Sequence, residues 1–356
     1  MNEKLNLIGK KLITKIINFK FDQYHKTDAK KALKNIESTK GKTEPKLIKL
    51  SDEYAKDIFG WQGYAPWLYV YSAVSETFKE GWIPDNYYGK IVVPAIKGDY
   101  GKTAFLSALS KKIFKSNFFP DIAYFINGLF YSNDYEVVQE SNIKDFLFKN
   151  STNVVFKIDN SLQGRGVYLL KKTSFDLKTI RLLGNGVFQD YIKQHSFFSE
   201  FMPNSVATLR LTTVHDSNGN FSVRQSLLRF GRNEDTHIIS ASSTRIPVNL
   251  TTGELYGLGY INPWHIIDRH PDTHVLFEKR KIPKFQKYIS TALELHKLVP
   301  FIGCIGWDLI MDRNENIKVM EWNGYNNGMS ICEATYGPCF SDLGWENIWR
   351  EVKTMH

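Results

Sequence analysis

Residues Gly306 to Gly324 read GWDLIMDRNENIKVMEWNG. Two runs, Trp307 to Met311 and Ile317 to Trp322, alternate apolar and polar residues as strands do, and Arg313-Asn314-Glu315-Asn316 between them is turn chemistry. A turn centred between Asn314 and Glu315 sets Asp308 opposite Glu321, and Asn323 shares the face of Glu321 because strand side chains alternate. Cross-strand partners sit roughly 4.5–5.5 Å apart at Cβ, so the three side chains form a compact cluster of hard oxygen donors. Two carboxylates that face each other repel and tend to hold protons unless a cation lies between them. Magnesium suits such a place, since it takes one or two protein carboxylates and completes its shell with water and substrate phosphates. The spacing alone also fits the solvated face of an antiparallel sheet. The large apolar Trp307, Leu309, Met320 and Trp322 argue for a core on the opposite face.

Composition narrows the class. A chain of 356 residues can bury a large core and suggests two or three domains. With 42% hydrophobic and 14% aromatic residues it is not a disordered chain. No apolar run approaches the roughly 20 residues of a membrane span, and the first residues lack a secretory hydrophobic region with a small-residue cleavage site. The expected location is therefore cytoplasmic. Cys304, Cys332 and Cys339 follow no metal-binding spacing and read as reduced structural thiols. The net charge of +9 invites a nucleic-acid partner, but residues 1–49 hold thirteen lysines against five acidic residues, a local +8. The remainder is nearly neutral and carries no zinc-finger or RNP signature, so no nucleic-acid partner is expected.

At the N-terminus, Leu5, Ile8, Leu12, Ile16 and Phe19 recur at helical spacing, with Lys4, Lys11 and Lys15 elsewhere round the wheel. This basic amphipathic helix has several uses open to it: packing on its own protein, packing on a second subunit in a homodimer, docking a glycosyltransferase, or lying peripherally on an anionic membrane at its inner face. Residues 38–46, STKGKTEPK, read as a linker. The stretch 47–120 is rich in aromatics, with Trp61, Trp67, Tyr69, Tyr71 and Trp82, and reads as a packed α/β domain. Inside it, Gly101-Lys102-Thr103 ends like a Walker A loop, but Ile96 stands where that motif needs glycine. Lys102 reads as a solvent-exposed lysine or as a candidate phosphate contact at the start of a helix expected over Thr103 to Phe114.

A stronger signal follows. Asn153 to Ile158, NVVFKI, reads as a strand carrying Lys157, then Ser161-Leu162-Gln163-Gly164-Arg165-Gly166 turns into a second strand, VYLLKK. Backbone N–H groups of a short glycine loop approach phosphates closely while a lysine neutralises their charge. No HRD or DFG run accompanies them, which excludes a protein kinase. Val187 to Lys193, VFQDYIK, reads as an apolar strand whose Gln189 suits an adenine edge, or as plain core. Ser205 to Val214 and Phe221 to Phe230 flank a turn centred on Asn218-Gly219 or Gly219-Asn220, and either centre gives a hairpin with Arg210 and Arg229 on one face, as diagonal or direct neighbours. Side-by-side guanidinium groups repel unless an anion lies over them, and a polyphosphate or acyl phosphate binds them bidentately; a pair snorkelling at the sheet surface is the other reading. Arg269-His270-Pro271-Asp272-Thr273 precedes a helix expected over Ile282 to Leu298, with Pro283 in its first turn.

In this order, a strand lysine with a glycine loop, an adenine-type strand, a paired-arginine hairpin and a terminal Asp…Glu-x-Asn hairpin resemble the ATP-grasp superfamily. More narrowly, NSVATLRLTTV, LLRFG, RHPDT and GWDLIM…VMEWNG resemble its sugar-transfer-associated family, whose members accompany capsule and exopolysaccharide genes. Two departures stand out. Gln189 occupies a place where ATP-grasp enzymes often have Glu, and Ser240 to Val248 reads SASSTRIPV where a glycine-rich segment is expected.

The resemblance implies an α+β protein with the ATP-grasp fold, two α+β lobes clasping ATP, preceded by a smaller N-terminal domain and the basic helix. The expected division is a helix and linker over 1–46, the N-terminal domain over 47–120, the small lobe over 121–188 and the large lobe over 189–356. ATP would contact Lys157, Gln163, Gly164, Gly166, Gln189, Asp190, Tyr191, Ile192 and Lys102. Asp308, Glu321 and Asn323 would hold Mg²⁺, two ions in all, and Arg210 and Arg229 would be catalytic. The implied activity is an ATP-dependent carboxylate–amine ligase that attaches an amino acid or amine to a sugar or uronic acid through an acyl phosphate. A small-molecule kinase on the same fold and a non-catalytic nucleotide-binding partner of a glycosyltransferase are the other two readings.

Overall fold

The computed structural model describes residues 2–161, 164–232, 235, 237–239, 241–325 and 327–354. It divides into two compact units, Met1–Ala95 with Pro263–Ile266 and Gly328–His356, and Ile96–Asn262 with Ile267–Asn327.

The first unit is helical. Helices α1 (Asn2–Lys40) and α2 (Pro45–Phe59) pack against α3 (Ala65–Ser75), as does the short helix Ser330–Tyr336. Helix α3 is apolar nearly all round, with Trp67, Leu68, Val70, Tyr71 and Val74 buried, the pattern of a central helix. From α1 it receives Ala29, Ala32 and Ile36, which are fully buried at a spacing of three and four and so share one face. Helix α2 opens on Pro45 in its first turn and ends at Gly60, whose φ of 70° lets its N–H return to the Ala55 and Lys56 carbonyls. Buried Glu333 ties this unit together: its carboxyl accepts from the Ile83 N–H at 3.0 Å and the Cys339 N–H at 2.7 Å.

The second unit carries two antiparallel sheets. The smaller has six strands, β1 (Asp121–Ile126), β2 (Leu129–Ser132), β3 (Val137–Val138), β4 (Asn153–Ile158), β5 (Val167–Lys171) and β6 (Gly186–Asp190), in the order β3-β2-β1-β6-β4-β5. Alternation along β4 sends Val154 and Phe156 into a core with Phe125, Phe130 and Phe188. In the larger sheet, six of the seven strands, β7 (Thr208–His215), β8 (Phe221–Phe230), β9 (Thr244–Pro247), β10 (Gly259–Ile261), β11 (Cys304–Met311) and β12 (Ile317–Asn323), pair in the order β10-β9-β8-β7-β11-β12. Strand β11 is buried along its whole length, as a central strand covered on both faces must be. The helix Phe285–Lys297 lays Phe285, Tyr288, Ala292 and Leu295 on this sheet's core, which also holds Leu209, Leu228, Trp307 and Leu309.

Several expectations are corrected. Residues 47–120 hold helices and, among the described residues, no strand; Trp67, Val70, Tyr71 and Val74 recur at helical spacing, a signal masked in the sequence by aromatics on every side. Helix α1 runs through Lys40, leaving only 41–44 before α2. Thr103 to Phe114 is not one helix: two 3₁₀ turns precede the helix Ser110–Phe114, and Leu106 (φ −101°, ψ 80°) breaks the run. Pro283 lies outside the helix that follows it, because Lys284 adopts a left-handed φ of 49° and the helix begins at Phe285. Strand β6 ends at Asp190, so Tyr191 to Lys193 lie beyond it.

Candidate functional site

The register of the larger sheet builds one polar row from three strands. Arg210 on β7 pairs directly with Asp308 on β11, and Asp308 pairs with Glu321 on β12, with a bulge just beyond it. On the other side Arg210 faces Leu227, while Arg229 faces Thr208, so the two arginines are diagonal neighbours. The arginine pair and the carboxylate pair therefore form a single cluster. Arg210 grips Asp308 bidentately, Nε to Oδ1 at 2.5 Å and Nη2 to Oδ2 at 2.7 Å, and Arg229 Nη1 lies 3.7 Å from Oδ2. Asn323 sits two residues along from Glu321 and donates to the Gly306 carbonyl at 3.4 Å.

Charge in this cluster is set by mutual contact. Burial raises the Asp308 carboxyl, but Arg210, Arg229 and Lys157 outweigh it and hold the group below the usual range. Burial also works against the Arg210 charge, and the Asp308 carboxylate more than offsets it. Glu321 is the exposed member, with its side chain at the mouth of a cleft. The protein packed around that cleft and the neighbouring Asp308 push the Glu321 carboxyl up, against Arg210, Lys157 and Arg229. The donor set fits magnesium in kind. It consists of two carboxylates and an amide; among the described residues, no three or more His, Cys, Asp or Glu side chains are grouped so as to hold a metal ion by themselves.

Phe105, Asp121, Lys157, Gly164, Gln189, Glu321 and Asn323 line the cleft. Lys157 reaches across from β4 and donates to the Met320 carbonyl of β12 at 2.6 Å. Burial lowers the Lys157 ammonium, opposed by Glu321, Asp121 and Asp308. Gly164 has a φ of +82°, and a Cβ there would lie 2.4 Å from the Ile238 carbonyl oxygen. A Cβ on buried Gly166 would meet Ser161 at 2.3 Å. Gln189 is buried on β6; its amide nitrogen donates to Asp121 Oδ1 at 2.8 Å, and its amide oxygen has no protein partner among the described residues. The Asp121 carboxylate thus fixes which end of the Gln189 amide is left as acceptor.

Other expected contacts are placed elsewhere. Asp190 is exposed at the end of β6, Tyr191 is half-buried and Ile192 belongs to the core of the larger sheet. Lys102 is exposed and pairs with Asp99 at 2.6 Å. Gln163 lies outside the described residues. Arg210, Arg229 and Asp308 do not line the cleft itself.

Two side chains at the site went unread in the sequence. Asp121 orients Gln189, and the only hint was an acid opening an apolar strand. Asn327 bridges Thr212, to which its amide nitrogen donates at 3.1 Å, and Arg210, whose Nη1 donates to its Oδ1 at 3.3 Å. It fits only because Gly306 beneath it has no side chain; a Cβ there would stand 2.3 Å from Asn327 Oδ1.

No curated protein matches this sequence. Among solved structures, the biotin carboxylase domain of Hydrogenobacter thermophilus 2-oxoglutarate carboxylase, with MgADP and bicarbonate, is 13% identical, with a TM-score of 0.38 over 62% of this chain and 39% of its own. Campylobacter jejuni biotin carboxylase, solved as a β-γ-ATP complex, gives 12%, 0.42, 68% and 44%. The Coxiella burnetii D-alanine–D-alanine ligase gives 9%, 0.39, 71% and 60%. This chain thus spans between 39% and 60% of the lengths of those three structures. The sugar-transfer-associated ATP-grasp family profile matches residues 121–343, well over half of the sequence and every strand of both sheets. The chain belongs to the sugar-transfer-associated ATP-grasp family, with its α+β fold.

Proposed function

We propose that the protein is an ATP-dependent carboxylate–amine ligase acting on a sugar or uronic acid in capsule or exopolysaccharide assembly. The observation that carries this is the fused row of Arg210, Asp308 and Glu321 beside a cleft that also presents Lys157 and Gln189. Lys157 and the Gly164 to Gly166 turn suit the phosphates of ATP, and the unpartnered Gln189 oxygen suits the adenine amino group. Asp308, Glu321 and Asn323 would hold Mg²⁺, which when bound supplies charge neutralisation for the transferring phosphoryl group. Arg210 and Arg229, set behind Glu321 in the same row, would lend positive charge to the negative charge that an acyl phosphate develops.

In the first step a substrate carboxylate oxygen attacks the γ-phosphorus and the bond to ADP breaks. In the second an amine nitrogen attacks the acyl carbon, phosphate leaves with the bonding pair, and the amine gives up a proton. The amide product is lighter than its two precursors by one water. No protein nucleophile is required.

The test measures ADP and phosphate release with Mg-ATP against amino acids crossed with uronic-acid nucleotides and amino sugars, with mass spectrometry of each mixture. Release that needs both a carboxylate and an amine, and stops in Glu321→Ala with folding intact, supports the ligase. Release with one substrate and a phosphorylated product means a kinase instead. Turnover that survives both Asp308→Ala and Glu321→Ala refutes the metal assignment.

A further inference from the structure

We propose that the N-terminal half of α1 anchors the protein on the surface of an anionic membrane. Leu12, Ile13, Ile16, Ile17 and Phe19 are between 48% and 64% exposed, although five large apolar side chains within eight residues ordinarily mark a buried face. At 3.6 residues per turn they cover an arc of about 160°. By sequence spacing alone, Lys10, Lys11 and Lys15 come outside that arc, and Lys20 follows its last member. Residues 4–21 hold five lysines and no acidic residue.

The same helix changes character within one turn. From Asp22 onward it is fastened to its own unit: Lys90 pairs with Asp22 at 2.8 Å, Trp67 donates to His25 at 3.1 Å, and Ala29, Ala32 and Ile36 are fully buried. The exposed apolar arc is therefore carried on a firmly docked helix rather than on a loose tail.

Charge and width decide what covers it. Its own unit leaves Leu12 to Ile17 open. A second copy would set lysine against lysine, with no carboxylate in the stretch to pair with, and the arc is wider than a two-helix seam. A spanning helix is not available, since no described helix is long and apolar enough to cross a membrane. An anionic surface answers both features: the apolar arc enters the acyl boundary, and the flanking lysines meet the headgroups.

Flotation of the full-length protein with vesicles tests this, comparing phosphatidylcholine alone with phosphatidylcholine containing phosphatidylglycerol. Binding is expected only with the anionic vesicles and is weakened by salt. Lys11→Glu with Lys15→Glu, and separately Ile13→Asp with Ile17→Asp, should each lower the bound fraction by on the order of tenfold or more, with circular dichroism and melting temperature unchanged. Equal binding to neutral vesicles, or binding to neither, overturns the proposal. So does a dimer in light scattering that Ile13→Asp with Ile17→Asp converts to monomer, which would assign the face to a second copy.

Discussion

Arg210→Met removes both hydrogen bonds that Asp308 receives from Arg210, at 2.5 and 2.7 Å, and leaves a carboxylate that is only 5% exposed. Stripping one partner from a buried ion pair costs about 3–5 kcal/mol, because the remaining charge cannot recover its water. Arg229, 3.7 Å from the same carboxylate, still offsets part of that charge and places the expected loss near the bottom of the range, about 3 kcal/mol. In a unit of this size that lowers the melting temperature by roughly 6–12 °C. Asp308→Asn should cost about as much, since it leaves Arg210 buried without its counter-charge. Combining the two removes both charges at once, so the double variant should be about as stable as either single one. The coupling is then about 2–3 kcal/mol. Urea and thermal unfolding of the four proteins under one buffer completes the cycle. Additivity within about 0.5 kcal/mol would refute the reasoning, because it would mean that the two charges are solvated independently.

Three further outcomes follow from the geometry. Asp121→Asn offers the Gln189 amide a donor as well as an acceptor, so it no longer fixes which end faces the cleft; KM for ATP should rise on the order of tenfold with kcat little changed, and the preference over GTP should narrow. An unchanged KM and ATP-to-GTP ratio would remove Gln189 from the base site. Gly306→Ala drives a methyl to 2.3 Å from Asn327 Oδ1 and 3.2 Å from Arg210 Cδ, and should cost about 1–3 kcal/mol along with turnover; wild-type stability and kinetics would show that Asn327 does not brace Arg210. Burial pushes the Glu333 carboxyl from 4.5 up to about 8. A folded pKa above the unfolded one gives stability that is complete below about 4.5 and is lost as pH rises through about 8, a few kcal/mol in all. Glu333→Gln should flatten that slope, and equal pH slopes in the two proteins would count against it.

The strands that carry the site could be read from the sequence because their alternation is strong. Asn153–Ile158 and Phe221–Phe230 have the bounds expected of them, and the hairpin does set Asp308 against Glu321. What could not be read is which strand lies beside which. Strand β7 is separated from β11 by about ninety residues, yet their pairing is what turns two arginines and two carboxylates into one cluster. From each hairpin alone, two like charges looked to need an outside ion; across the sheet they compensate each other. The helical half was harder, because aromatics such as Trp67, Tyr71 and Trp82 are buried on every side of the first unit and leave no polar stripe from which to read a period. Asp121 and Asn327 escaped for a related reason: each acts on a residue distant in sequence, Gln189 and Arg210 respectively.

The register also makes the two carboxylates unequal. Asp308 is buried and has both oxygens engaged by Arg210, so its charge is already balanced by the fold. Glu321 opens onto the cleft, with Lys157 reaching to the neighbouring Met320 carbonyl. Charge arriving in the cleft therefore meets Glu321 and Lys157 directly, and meets the Arg210–Asp308 pair only through them. Neutralising Glu321 touches a group that the fold does not depend on, whereas neutralising Asp308 strands a buried guanidinium. The Asp-to-Glu spacing that looks symmetric in the sequence thus gives one proposed ligand that Arg210 already braces and one that opens onto the cleft, a difference set by the strand that pairs on the far side.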